Sequence, residues 1–142
     1  MGEFNFLEGI VTADVAVEVR GKTIEDLFAT AALALFEVMV STETVQPKRE
    51  KKIHLEGQAV DRLLYDWLSE LVCLKDTDSM LFCRFDLVIK QENGYQLDAT
   101  IAGEEIDPKR HELRADVKAV TFHRFRVEES QGTWSAEIVF DI

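Results

Sequence analysis

The chain closes on "FDI", which sets two negative groups on adjacent residues: the side-chain carboxylate of Asp141 and the α-carboxylate of Ile142. The terminal carboxylate belongs to the backbone and need not share Asp141's sidedness, so both can reach one ion at a strand end. Two carboxylates there are electrostatically strained unless a cation, a lysine or an arginine neutralises them. Asp14 is a third candidate donor, in the centre of "TADV" on the polar side of a strand-like stretch. Valine and alanine surround it, and a lone aspartate is disfavoured inside a strand. Asp14, Asp141 and Ile142 together offer only oxygen, a donor set that favours Ca²⁺, Mg²⁺ or Mn²⁺ over zinc. The alternative is that both aspartates are solvated surface residues, the common state of a carboxylate. Lys118 stands mid-strand in "VKAVTFH". It reads as a surface lysine, as a countercharge to Asp14 or Asp141, or as a functional cation facing a partner.

Other chemistries have little support. There is no phosphate-cradling glycine loop, no G-x-S-x-G and no HExxH. His54, His111 and His123 are too scattered for a zinc set, and His123 reads as a core histidine with a hydrogen-bonded ring. Cys73 and Cys83 form no CxxC and read as reduced, half-buried thiols. Trp67 and Trp134 fall on apolar stripes and belong to the core, while "KDTDS" reads as a solvated helix end without EF-hand spacing.

The elements that must position these groups follow from periodicity. From Val11 to Val19 the apolar residues alternate, which is the period of a strand with one core face. After Gly21, Thr23 and Asp26 resemble a capping box, opening a helix with Ile24, Leu27, Phe28, Ala31, Leu35, Val38 and Met39 on one stripe. Pro47 and "KREKK" mark a surface connection to a short strand holding Ile53 and Leu55. A second helix runs from Asp61 to about Leu74, closed by "KDTDS". Then come two hairpins, turning at Asn93-Gly94 and at Gln131-Gly132, with the loop "EEIDPKRHE" between them. In the last strand Trp134, Ala136, Ile138, Phe140 and Ile142 share a face, leaving Glu137 and Asp141 on the other. The expected fold is α+β: a two-layer sandwich, two amphipathic helices on one mixed, mostly antiparallel sheet, as a single domain over residues 1–142.

Bulk properties narrow the class of partner. With 27 Asp and Glu against 16 Lys and Arg, the net charge is -11. So acidic a chain is poorly suited to holding nucleic acid by counterion release, and better suited to a basic partner or to cations. No run approaches the length of a membrane span, and "MGEFNFLEG" is no signal peptide, so a cytoplasmic protein is expected.

Taken in order, "TADV", "RGKTIEDLFATAALALFEVM", "LLYDWLSELVCLKDTDSMLFCRF", "GEEIDPKRHE", "VKAVTFH" and the closing "FDI" resemble the archease family across nearly the whole chain. The resemblance implies a small α/β fold and a non-ligating activator of the RtcB-type RNA ligase, which joins tRNA exon halves using GTP and manganese. It implies a divalent-metal site made of Asp14, Asp141 and Ile142, occupied in the family by calcium, with magnesium and manganese as alternatives, and an activating lysine at Lys118. Contact with tRNA would be indirect, through the ligase, and no membrane is involved. One departure stands: where the family reads Glu-His-Thr-Ala-Asp, this chain has "LEGIVTADV", with Val11 at the histidine position and "GI" inserted. Two further classes of function stay open from the residues: a small metal-dependent phosphohydrolase using Asp14 and Asp141, and a chaperone or interaction module acting on an RNA-modifying enzyme.

Overall fold

The computed structural model describes residues 2–7 and 14–142. Its elements are β1 (Glu3–Leu7), β2 (Asp14–Gly21), α1 (Ile24–Met39), β3 (Arg49–Gly57), α2 (Val60–Asp78), β4 (Met80–Gln91), β5 (Tyr95–Glu105), β6 (Ala119–Ser130) and β7 (Thr133–Asp141). The α+β class holds, but the strands form two sheets rather than one. The first has the order β1-β2-β7-β6 and the second β3-β5-β4. Every named pairing is antiparallel, so the expected mixed character is also corrected. The chain passes from the second sheet to the first through residues 106–118, which hold no helix or strand beyond one isolated bridge.

Local chemistry explains most element boundaries. Thr23 caps α1, its Oγ1 accepting the Asp26 N–H at 3.0 Å, as the capping-box pattern requires. Gln131 and Gly132 both take positive φ, which two-residue hairpin turns demand. Asn93 and Gly94 do the same between β4 and β5. The amino-terminal segment, for which periodicity predicts no element, forms β1 and pairs with β2 from Glu3↔Arg20 to Leu7↔Ala16.

Two boundaries differ from expectation. The basic run at residues 49–52 already belongs to β3, because its side chains can point to solvent while the backbone pairs with β5. The second helix continues through "KDTD" to Asp78 and ends at Ser79, which takes the left-handed conformation at φ 52. Lys51 anchors that last turn through Asp78 at 2.5 Å. This helix end is therefore only half solvated, since Lys75 within it is buried.

The core lies between the helices and the two sheets. Helix α1 packs on β2 and β4, while α2 packs on β3 and β6. The buried Trp67 fills the junction and its Nε1–H donates to the Phe28 carbonyl at 3.0 Å, tying α2 to α1. Trp134 is half-buried against the same cluster, and the β7 face from Ala136 through Ile138 to Phe140 is fully buried. No helix among the described residues is long and apolar enough to cross a membrane. Val11 and the inserted Gly9-Ile10 lie outside the described residues, as do Thr12 and Ala13 of the "TADV" motif.

Candidate functional site

The first strand of the alternating pattern and the last strand of the chain are neighbours. In the β2–β7 register Asp14 pairs with Asp141. Residues directly opposite on antiparallel strands project to the same face with Cβ atoms about 5 Å apart, and like charges so placed destabilise the sheet. Both aspartates are half-buried. Lys118 joins them from the third side: its backbone N–H donates to the Asp141 carbonyl at 2.8 Å, just before β6 begins with Ala119↔Asp141. Its side chain is exposed and lines a shallow groove of about 270 Å³ with Tyr65, Ser69, Cys73 and Asp76 of α2. Ile142 follows Asp141 directly, and its apolar side chain packs against the core cluster. The packing fixes that residue from which the α-carboxylate projects.

A second acidic pair on the same face supplies the control. Two steps along the register, past the buried Ala16 and Val139, Glu18 stands opposite Glu137. There each carboxylate has its own arginine: Arg20 reaches Glu18 at 2.8 Å and Arg124 reaches Glu137 at 2.7 Å. Among the described residues, neither Asp14, Asp141 nor the Ile142 carboxylate takes part in any ion pair. Among the described residues, then, arginines accompany the Glu18–Glu137 pair and no ion pair accompanies Asp14–Asp141. Hard oxygens at an accessible strand end suit a divalent cation. Among the described residues no three His, Cys, Asp or Glu side chains are grouped to hold a metal.

The remaining sequence candidates fall elsewhere. His123 is exposed, not a core histidine, because β6 breaks its alternation there. Thr121 pairs with Val139 and Arg126 with Glu137, so residues 122–125 stand opposite Ile138 alone. Cys83 is a half-buried free thiol as expected, whereas Cys73 is exposed. His54 lies on the outer side of β3 beside Asp98 at 2.7 Å.

The sequence missed two buried charged groups. At the end of β5 Glu104 is buried and accepts the Gln46 N–H at 2.7 Å, with Arg110 and His111 also on its carboxylate. The Arg110 hydrogen bond leads in holding its pKa down at about 2, overcoming the opposing effect of burial. His111 is itself buried, its Nδ1 accepting the Asp107 N–H at 2.9 Å and its Nε2 facing Glu104 at 3.1 Å. This cluster folds the "GEEIDPKRHE" loop onto the body of the protein. Lys75 is the other group, and the only hint of it was a lysine falling at a position where the apolar stripe of α2 would continue.

Comparison with known proteins gives the family and confirms the fold. Residues 4–142 match the model of the Archease protein family (MTH1598/TM1083). The chain is 38% identical over 133 residues to the protein archease of Pyrococcus abyssi, covering 92% of this chain and 94% of that one. To the protein archease of Methanopyrus kandleri it is 41% identical over 132 residues, with the same coverage of 92% and 94%. The solution structure of Methanobacterium thermoautotrophicum protein 1598 superposes with a TM-score of 0.86 at 37% identity, over 98% of each chain. The crystal structure of a Thermotoga maritima archease, described as a possible chaperone, shares the fold at a TM-score of 0.63 and 21% identity, over 97% of this chain and 98% of that one. With its sequence matched almost end to end and its fold shared, the chain belongs to the archease family.

Proposed function

We propose that this protein is a non-ligating activator of an RtcB-type, GTP- and manganese-dependent RNA ligase in tRNA splicing, acting in the cytoplasm. The observation that carries the reading is the contrast between the two acidic pairs: Glu18–Glu137 has its arginines, and Asp14–Asp141 has none. Asp14 and Asp141, with the Ile142 carboxylate, would hold the divalent cation (calcium, magnesium or manganese), which brings positive charge to a surface otherwise acidic. The protein's own residues then present two things together to the ligase: the carboxylate cluster and the Lys118 ammonium. Lysine is a compact point charge with three donors, suited to a phosphate or carboxylate of the partner. Guanylylation of the ligase, and its repeated turnover, would be promoted by that contact without covalent chemistry on this chain. The tRNA is met only through the ligase.

The test is catalytic ligase with excess RNA and GTP, supplemented with wild type, Asp14→Ala, Asp141→Ala or Lys118→Ala. Wild type is expected to give many turnovers. Each variant should lower the rate roughly tenfold or more, equivalent to about 1.4 kcal/mol. Equal turnover numbers with all four proteins would remove the assignment.

A further inference from the structure

Lys75 sits on the buried stripe of α2, only 5% exposed, where continuation of Leu64, Leu68 and Leu71 would call for an apolar residue. Its ammonium has three donors and finds three acceptors. These are Asp76 at 2.5 Å, Asp116 at 2.6 Å and the Val117 carbonyl at 3.0 Å. The two carboxylates are largely exposed, with side chains 56% and 69% accessible, so they do not need Lys75 for their own solvation. The bond to Val117 is different in kind. The Val117 carbonyl and the Lys118 N–H belong to one planar peptide unit, and that N–H donates to the Asp141 carbonyl at 2.8 Å. One peptide plane is thus gripped from both sides, by the buried lysine of α2 and by the end of β7. The fully buried Val117 side chain closes the third side.

This clamp stands at the end of a long irregular segment. Residues 106–118 are pinned earlier by Glu104 on Arg110 and His111, by the Val40↔Leu113 bridge and by Arg114 on Glu37 at 3.0 Å. Lys75 supplies the final anchor before Lys118. Removing one partner of a buried ion pair is costly when it strands a buried charge, but Asp76 and Asp116 are exposed, so an apolar residue in place of Lys75 strands none.

We propose that Lys75 is a positioning residue, which fixes the Val117–Lys118 peptide plane so that Lys118 leaves the backbone in a set direction beside Asp141. The proposal rests on the activator reading only for its consequence, since the positioning itself is a property of the isolated protein. Two measurements separate them. In the first, amide hydrogen exchange of the Lys118 N–H is followed by NMR in wild type and Lys75→Met, alongside urea unfolding. Lys118 exchange should speed up about tenfold or more while the unfolding midpoint changes little. In the second, ligase turnover is measured with Lys75→Met, Lys118→Ala and the double variant. The double variant should be no slower than Lys118→Ala, because both changes remove the same contribution.

Unchanged Lys118 exchange in Lys75→Met overturns the proposal, as does a multiplicative loss in the double variant. Should Lys75→Met fail to fold, Lys75→Gln makes the same test with a polar side chain that is uncharged and one atom shorter. Faster Lys118 exchange there supports the clamp, and wild-type exchange overturns it. If wild type itself fails to activate the ligase, the activator reading falls and the exchange result still decides the positioning of Lys118.

Discussion

Like charges directly opposite in a sheet cost the fold a few tenths of a kcal/mol to about 1 kcal/mol. Asp14→Asn keeps the shape of the side chain and removes one charge of the Asp14–Asp141 pair. In metal-free buffer with chelator, this variant is expected to be more stable than wild type by about 0.5 kcal/mol in urea unfolding. On adding calcium the order should reverse, because only the protein that binds the ion gains stability by mass action. A variant as strongly stabilised by calcium as wild type would rule Asp14 out as a ligand. Glu104 predicts a different response, to pH. Its carboxyl titrates at about 2 instead of 4.5, chiefly through Arg110, so the folded state binds its proton less readily than the unfolded chain. The stabilisation is then complete above about pH 4.5 and lost as pH falls towards 2. It amounts to on the order of 3 kcal/mol. Glu104→Gln should be less stable at pH 7 and show a flatter stability profile across that acid window, measured by chemical unfolding at successive pH values.

At the scale of elements, the second helix was legible from its stripe but its end was not. The period of apolar residues stops near Leu74, and charged residues after it read as a loop. The helix nevertheless continues, because Lys75 is paired inside and Asp78 is tied to Lys51 across the sheet. Ser79 then ends it at φ 52, a left-handed conformation that any residue with a Cβ adopts at some cost. Ser79→Gly is expected to stabilise the protein by up to about 1 kcal/mol, and Ser79→Val to destabilise it, both read from unfolding midpoints. Period two likewise located β6 but missed its bulge. Four residues opposite one break the alternation and turn His123 out to solvent. They also bring Phe122 onto Tyr65 with ring centroids 4.0 Å apart and Arg124 onto Glu137. A bulge is set by what the neighbouring strand and helix require, and no local pattern states it.

For the molecule as a whole, the decisive contact is the pairing of β2 with β7, which brings Asp14 and Asp141 together from opposite ends of the sequence. If the Ile142 α-carboxylate is the third donor, adding a single glycine after Ile142 moves that charge one residue outward and leaves the packed Ile142 side chain in place. Such a variant is expected to keep wild-type thermal stability in chelator while losing about tenfold in calcium affinity by calorimetry. Retained affinity would mean that two aspartates suffice. Legible from the residues alone were the carboxylates of Asp14 and Asp141, the alternating faces of the first and last strands, the two amphipathic stripes and both hairpin turns. All of these follow from side-chain type and from periods of a few residues. It took the folded chain to reveal that there are two sheets, that Asp14 stands opposite Asp141, that the arginines serve the other acidic pair, and that Lys75 and Glu104 are buried with partners. Those facts depend on which distant segments lie side by side, and strand order and register between segments far apart are set by the packing of the whole core, to which no short window of sequence has access.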